Sequence, residues 1–180
     1  MNNPYEICPC FETEKFVLRL VEKSDAEDLL ECYSDEISQK YFNADNCIND
    51  FKYKTLDEMY KTIDFWIQAY ENNDFVRFSI IYKLNGKTIG TIEIFGGTYG
   101  VLRIDIKSEF EKKDHLKEII HVSACNFFVL FDIKNMITKA IPEAIDRIHA
   151  LIECGFIQYT ERMGTFRENY FIKSYDPVSK

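Results

Sequence analysis

The sequence predicts a single α+β domain whose sheet is mostly antiparallel, with helices on both faces. Two observations support this prediction. Three β-rich runs follow one another between residues 76 and 106, and Asn85-Gly86, typical of a hairpin turn, separates the first two. A strand–helix–strand unit over residues 101–140 then adds a parallel crossover. We expect about seven strands in one domain spanning residues 1–180, with residues 1–10 as a poorly ordered extension.

In the first half of the chain, the predicted elements are a strand, two helices and then the three β-rich runs. Residues 15–21 are β-branched and apolar, which is typical of a strand. Ser24 with Glu27 and Thr55 with Glu58 match the capping box, so each pair predicts a helix start. The second start is followed by apolar residues at helical spacing: Leu56, Met59, Tyr60, Ile63, Trp66, Ile67 and Tyr70.

In the second half, a helix over about residues 115–131 leads to a short strand at residues 136–141. Pro142 suits the first turn of a last helix, and Gly155 is well placed to end it. Two runs on either side of the turn at residues 164–167 predict a final strand pair.

Composition narrows the classes of function. The chain has 22 Lys and Arg against 30 Asp and Glu, a net charge of −8. Nucleic-acid binding needs a basic face, so we expect no nucleic-acid partner, and cationic partners are mildly favoured. We find no secretory signal and no apolar run of the roughly 20 residues that a membrane helix needs. The prediction is a cytoplasmic protein without a membrane partner.

The six cysteines match no common metal-binding pattern. Only Cys8 and Cys10 form a close pair, and their spacing is not one of the usual ligand spacings. We expect reduced thiols and no metal site.

Three stretches share one resemblance. Residues 13–29 are TEKFVLRLVEKSDAEDL, residues 86–95 are GKTIGTIEIF around Gly90, and residues 151–156 are LIECGF. In this order and spacing they resemble the GNAT superfamily of acetyl-CoA-dependent N-acetyltransferases, especially the branch that acetylates ribosomal-protein N-termini. The matching positions of the first stretch are Thr13, Glu14, Leu18, Arg19, Asp25 and Ala26.

The resemblance implies a sheet splayed between its fourth and fifth strands, with acetyl-CoA in the opening. The acetyl group would pass directly to an amine of a small molecule or a peptide N-terminus, and the protein would be a monomer or a homodimer. The pantetheine arm would pair with the strand that holds Ile104 and Ile106. The pyrophosphate would rest on the following helix start, at Lys112, Lys113, Asp114, His115 and Leu116.

The chain departs from the family's pyrophosphate loop, Arg/Gln-x-x-Gly-x-Gly/Ala. Its three signature positions fall on Glu111, Asp114 and Leu116. Asp114 is a good N-cap residue, so one hypothesis is that its carboxylate accepts bonds from the N–H groups of Leu116 or Lys117. The chain would then cap its own helix with the anion that relatives take from the cofactor. Alternatively, Lys112 and Lys113 hold phosphate as point charges, or form a solvated turn.

Candidates for the general base are Glu93 and Asp105, on strands where relatives often place an acid. The alternative is that both acids lie on a solvent-exposed face of the sheet.

The family's Asn, Ser/Ala and Tyr positions on the last helix are Ala144, Arg147 and Leu151, so no recognised general acid is found there. Tyr170 or Tyr159 remains as a candidate acid or as a packing residue. Two functions therefore stay open. One is an N-acetyltransferase, and the other is a degenerate protein of the same fold that binds a ligand or a protein partner without catalysis.

Overall fold

The computed structural model describes residues 3–47, 50–96, 99–160 and 168–177. Within these ranges the chain forms eight strands and four α-helices. The strands are β1 (Phe11–Glu12), β2 (Phe16–Leu20), β3 (Val76–Tyr82), β4 (Lys87–Phe95), β5 (Gly100–Ile106), β6 (Asn135–Lys139), β7 (Ile157–Tyr159) and β8 (Tyr170–Ser174). The helices are α1 (Ala26–Ser34), α2 (Leu56–Glu71), α3 (Lys113–Leu130) and α4 (Ile145–Glu153).

The eight strands form one sheet in the order β1-β2-β3-β4-β5-β6-β8-β7. All neighbours are antiparallel except β5 and β6, which are parallel. The prediction of a mostly antiparallel sheet with one crossover is confirmed. The eighth strand is β1, whose two residues are too short to show a periodic pattern. The predicted fourth and fifth strands are therefore β5 and β6.

Helices cover both faces of the sheet, as predicted. On one face, α1 and α2 bury an aromatic-rich cluster that includes Tyr33 and Trp66. On the other face, α3 and α4 pack on the apolar side of β3, β4 and β5, where Phe78, Ile92 and Ile104 are buried. The two layers place different chemistry on the two faces of the same strands.

The two predicted capping boxes have different outcomes. At α2 the prediction is confirmed, because the Thr55 hydroxyl accepts from the Glu58 N–H at 3.2 Å and the Glu58 carboxylate accepts from the Thr55 N–H at 2.9 Å. At α1 the prediction of Ser24 as the cap is wrong. The turn forms instead around the buried Asp25, which accepts from the Glu22 N–H at 2.9 Å, and α1 begins at Ala26.

Three turn predictions can be compared with the structure. Gly86 has a φ of +72° in the hairpin between β3 and β4, a conformation that favours glycine. Gly155 ends α4 with a φ of +82°, as predicted. Pro142 lies in a turn before α4, which begins three residues later at Ile145, so its predicted place in the first turn is wrong. The predicted turn at 164–167 lies outside the described residues.

The sheet is open between β5 and β6, which confirms the predicted splay. The two strands pair only at Gly100 with Met136 and at Val101 with Ile137. β5 then continues to Ile106, and no strand of the described chain pairs with it on that side. We call the space between the two strands beyond Val101 the notch.

Candidate functional site

A layer of charged side chains lies on the α1/α2 face of β3, β4 and β5. It consists of Arg77, Glu93, Arg103 and Asp105, each at most 5% exposed. We call these four residues the charged layer. The strand register places Arg77 opposite Glu93, and Glu93 opposite Arg103. The alternating signs therefore pair across three neighbouring strands.

Arg77 is the centre of the charged layer. Its guanidinium donates to Glu93, and its Nη1 donates to the Asp105 Oδ2 at 3.1 Å. The Trp66 ring of α2 covers it, with 4.2 Å between the guanidinium carbon and the ring centroid. Burial acts to lower the pKa of Arg77, but the carboxylates around it raise that pKa above its ordinary value. Arg77 is therefore a permanent cation inside the domain.

Glu93 is held between two arginines, Arg77 and Arg103, and both form ion pairs with it. The Arg103 Nη2 also donates to the backbone oxygen of Asp45 at 2.9 Å. Because both Glu93 oxygens accept from guanidinium groups, this carboxylate is fixed as a counter-ion.

Asp105 is held differently. Its Oδ2 accepts from the Tyr33 hydroxyl at 2.9 Å as well as from Arg77, while its buried Oδ1 has no hydrogen-bond partner among the described residues. Burial raises the pKa of Asp105, and the Arg77 charge and the Tyr33 bond oppose that rise. A buried carboxylate with a raised pKa and one unused oxygen is suited to accept a proton.

The alternative that Glu93 and Asp105 lie on a solvent-exposed face of the sheet is wrong. Both are buried because Arg77 and Arg103 neutralise that face and α1 and α2 cover it. Our sequence reasoning missed Arg77, Arg103 and Tyr33. The sequence does place charged residues at alternate positions on three successive strands. A solvent-exposed face of a sheet shows the same pattern, so the pattern does not distinguish a buried charged layer from a surface.

The backbone of β5 presents unused hydrogen-bonding groups to the notch. The Lys107 N–H donates to the Ile89 oxygen of β4 at 2.9 Å. In an antiparallel pair, alternate residues point their backbone groups to opposite sides. Ile104 and Ile106 therefore direct theirs away from β4, to a side where none of the described strands pairs with them. Gly90 allows β4 and β5 to approach each other closely here, since a Cβ on it would collide with the backbone oxygen of Asp105.

The start of α3 also presents backbone N–H groups that are not used within the helix. The helix begins at Lys113 with Lys112 as its N-cap, and no side chain in the described part of the chain caps it. The hypothesis that Asp114 caps this helix is wrong, because Asp114 lies inside the first turn. The Leu116 N–H already donates to the Lys112 oxygen at 3.0 Å. The N–H groups of Lys113, Asp114 and His115 precede that first helical bond and have no acceptor among the described residues.

Glu111, which replaces the Arg/Gln of the family's pyrophosphate loop, forms a buried ion pair with Arg147 of α4. The Nε and Nη2 atoms of Arg147 lie 2.6 and 2.7 Å from the two carboxylate oxygens, and Nη1 donates to the Tyr41 oxygen at 3.2 Å. Burial acts to lower the pKa of Arg147, but Glu111 raises it above its ordinary value. The pair joins the loop before α3 to the first turn of α4 and neutralises Glu111.

The remaining loop charges have different surroundings. Lys113 and Lys117 both bind the Glu153 carboxylate of α4, at 2.9 and 2.7 Å. The Lys112 ammonium has no acidic partner among the described residues. Burial, followed by the charges of Lys15 and Lys112, lowers the pKa of His115, so its ring stays neutral at physiological pH.

Comparison with known proteins gives the fold a name. No family model matches the chain, and no curated protein matches its sequence. Solved structures do match. The ribosomal-protein-S5-alanine acetyltransferase from Vibrio fischeri is 17% identical, with 96% of this chain and 100% of that chain covered and a TM-score of 0.74. RimL, an α-N-protein acetyltransferase solved with coenzyme A, is 9% identical over 92% and 98% of the two chains, with a TM-score of 0.73.

A third match is the spermidine N-acetyltransferase from Vibrio cholerae, solved with CoA and spermine. It is 16% identical over 89% of this chain and 93% of that chain, with a TM-score of 0.64. An acetyltransferase from Bacillus anthracis with the same architecture is named as a GNAT family protein. The chain has the GNAT fold. The predicted resemblance is confirmed at this level.

Within this GNAT fold, the predicted site residues fall into two groups. Ile104 and Ile106 border the notch and the start of α3 follows β5 after residues 107–112, while Glu93 and Asp105 lie in the charged layer. β5 links the groups, because Ile104 and Ile106 alternate with Asp105 along it. Tyr170 is buried beyond β6 and bonded to Asn43 at 3.2 Å, and burial raises its pKa to about 12.

Membrane-spanning helices and metal sites were also considered for the chemistry of the described residues. None of their helices combines the length and apolarity needed to cross a membrane. No three His, Cys, Asp or Glu side chains among them come together in a way that could hold a metal ion.

Proposed function

We propose that the chain is an N-acetyltransferase that moves an acetyl group from acetyl-CoA directly to a primary amine. One observation carries the proposal: β5 has an edge that no described strand pairs with, it leads into a helix start that no described side chain caps, and the same strand holds the buried Asp105. The solved neighbours support it, since they include enzymes that acetylate α-amino groups and spermidine, and two of them were solved with CoA.

The backbone of the notch fits this cofactor. Ile104 and Ile106 would pair with the amide groups of the pantetheine arm. The free N–H groups of Lys113, Asp114 and His115 would hold the pyrophosphate at the positive end of the helix dipole. Leu116, which was also predicted to hold the pyrophosphate, does not contribute its N–H because that group donates to the Lys112 oxygen.

The side chains of the loop are compatible with two phosphates despite the lost signature. Glu111 is neutralised by Arg147, so its charge does not repel an anion. Lys112 supplies a point charge that no acid of the described chain neutralises. Asp114 is the one acidic side chain in the first turn of the helix, and it opposes anion binding.

Bound acetyl-CoA would supply the activated acetyl thioester. The chain's own contribution is to remove a proton from the amine, and we assign that role to Asp105. Its raised pKa brings the carboxylate closer to the working pH, which favours general-base catalysis. Arg77 and Tyr33 fix its orientation, and Glu93 serves as counter-ion to the two arginines rather than as the base.

Calorimetry with acetyl-CoA, followed by a thiol-release assay with a panel of amines, tests the proposal. We expect saturable binding and release of free CoA that depends on the amine. The absence of heat at high micromolar protein, with amines present, would contradict the enzyme proposal.

A second candidate is a degenerate GNAT-fold protein that binds a ligand or a partner without catalysis. The buried Glu111–Arg147 pair favours it, because the pair occupies two signature positions. Ala144 and Leu151 place buried apolar side chains at two more. Binding of acetyl-CoA without thiol release from any amine would support this candidate.

A further inference from the structure

The proposed base, Asp105, is closed off from solvent. Its side chain is 0% exposed, and so is Tyr33, whose hydroxyl donates to it. Trp66 and Phe51 lie on the Arg77 guanidinium, with 4.2 and 5.4 Å between its carbon and the two ring centroids. The rings of Tyr33, Trp66 and Phe51 thus cover the charged layer on the α1/α2 face. An acceptor amine can contact the Asp105 carboxylate only if part of this cover moves.

Of the three rings, Phe51 belongs to the part of the cover with the least regular backbone. Tyr33 lies in α1 and Trp66 in α2, so the backbone of each is held by helical hydrogen bonds. Phe51 lies before α2, where residues 50–54 form neither a helix nor a strand. Segments of this kind open at a lower free energy than the helices and strands that they connect. Phe51 is therefore the ring of the cover that is displaced most readily.

The backbone of Phe51 also opposes the closed arrangement. Its φ is +56°, in the left-handed region that bulky residues rarely adopt because the Cβ approaches the backbone. Such a conformation persists only where the surrounding packing holds it. Here that packing is the burial of Phe51, which is 5% exposed. When the ring leaves Arg77, the backbone can return to a negative φ, and this relaxation offsets part of the lost burial.

We propose that Phe51 controls the access of the acetyl acceptor to Asp105, and that its ring is displaced when the amine binds. This inference rests on the proposed acetyltransferase function. Phe51 acts on access and takes no part in the proton transfer. Because only the displaced arrangement binds the amine, the apparent affinity for the amine is reduced by the fraction of molecules in that arrangement. Removing the ring should therefore strengthen amine binding, whereas damage to a purely structural residue should weaken it.

The cover can be tested without turnover, because Trp66 is the only tryptophan of the chain. Trp66 is 2% exposed, so its fluorescence should resist quenching by acrylamide. We expect Phe51→Ala to increase the quenching rate severalfold. The control is Phe75→Ala, which removes a partly buried ring of the same cluster that packs on Phe65, and it should leave the rate unchanged.

A second variant, Phe51→Gly, serves if the alanine variant does not fold, because glycine adopts a positive φ without strain. Equal quenching of the wild type and the Phe51 variant would contradict the inference. An equal increase in the Phe75 control would contradict it as well, because general loosening of the cluster would then be the cause.

Turnover separates this inference from the proposed function. CoA release is measured against the concentration of an amine that the wild type acetylates, with acetyl-CoA saturating. A minor arrangement is typically populated at about 0.1–10%, so we expect Phe51→Ala to lower KM for the amine by about tenfold or more without lowering kcat. An unchanged or raised KM, or a lowered kcat, would overturn the inference and leave the acetyltransferase standing. If no amine is acetylated, the proposed function fails, and the quenching comparison still decides whether Phe51 closes the charged layer.

Discussion

The Asp105 carboxylate is enclosed by groups that act on its charge in opposite directions. Burial favours its protonated form, and Arg77 and Tyr33 favour its charged form. The net result is a raised pKa, so the carboxylate becomes charged only at a higher pH than an exposed aspartate. Catalysis that needs this carboxylate as a base should therefore increase as pH rises through its raised pKa.

Replacing Asp105→Asn removes the proposed base while keeping the size of the side chain. We expect kcat to fall by about a hundredfold to ten-thousandfold, and the acidic limb of the pH–rate profile to disappear. The measurement is thiol release across pH, with the exposed Asp64→Asn as the control. A variant that keeps the wild-type rate and profile would rule Asp105 out.

Replacing Tyr33→Phe removes the hydroxyl that donates to Asp105. Because that bond lowers the pKa of Asp105, its loss should raise the pKa further and move the acidic limb to higher pH. Tyr60→Phe, on an exposed ring, provides the matched control. A thermal melt of each variant separates this effect from unfolding, and an unmoved limb would show that the two groups are not coupled.

Residue type and strand position were sufficient to single out Glu93 and Asp105 as candidates from the sequence. Their different roles were not predictable. Those roles depend on the register that places Arg77 and Arg103 on either side of Glu93. Register is set by pairing between distant segments, which a pattern within one strand does not contain.

At the scale of elements, helix starts show where local rules were sufficient. The capping box at Thr55 involves only residues that are close in sequence, and it formed as predicted. Ser24 failed because Asp25 satisfies Arg19, Ser79 and Thr88, which are tertiary partners. Asp114 failed because α3 begins one residue before it, at Lys113 with Lys112 as the N-cap, which puts Asp114 inside the first turn.

The α2 cap gives a stability prediction. Thr55→Ala removes the hydroxyl that accepts from the Glu58 N–H and should lower the free energy of unfolding by about 1 kcal/mol. Urea denaturation measures it, and Thr55→Ser, which keeps the hydroxyl, should restore most of the loss. An unchanged midpoint in the alanine variant would show that water replaces the cap.

The Glu111–Arg147 pair gives a second prediction about stability. Glu111→Leu leaves a buried guanidinium without its counter-charge, which typically costs about 3–5 kcal/mol. The double variant Glu111→Leu/Arg147→Met removes both charges and should recover most of that loss. Urea denaturation of the single and double variants forms the test. If the double variant is no more stable than the single one, burial of an unpaired charge is not the cause.

At the scale of the whole molecule, the two halves of the sheet touch through two residue pairs of β5 and β6, while α3 and α4 pack together on one face. The order of elements was predictable because each helix and strand carries its own periodicity. The eighth strand, β1, was not predictable, because its two residues form a strand only by pairing with β2.

The open edge of β5 should be visible in hydrogen exchange. The amides of Arg103 and Asp105 are paired with β4, whereas those of Ile104 and Ile106 point into the notch. We expect the latter to exchange faster, and to become protected when acetyl-CoA is added. NMR-detected exchange measures this. Uniform protection along β5 in the free protein would contradict an open edge.

The strand order also determines when each half of the sheet can be completed during synthesis. β1 to β5 are added one beside another, so that half can pair all its strands while later segments are still being made. β8 follows β7 in the chain but lies between β6 and β7. Ribosomes that stall before residue 170 would therefore release a chain with two unpaired strand edges, a species prone to aggregate.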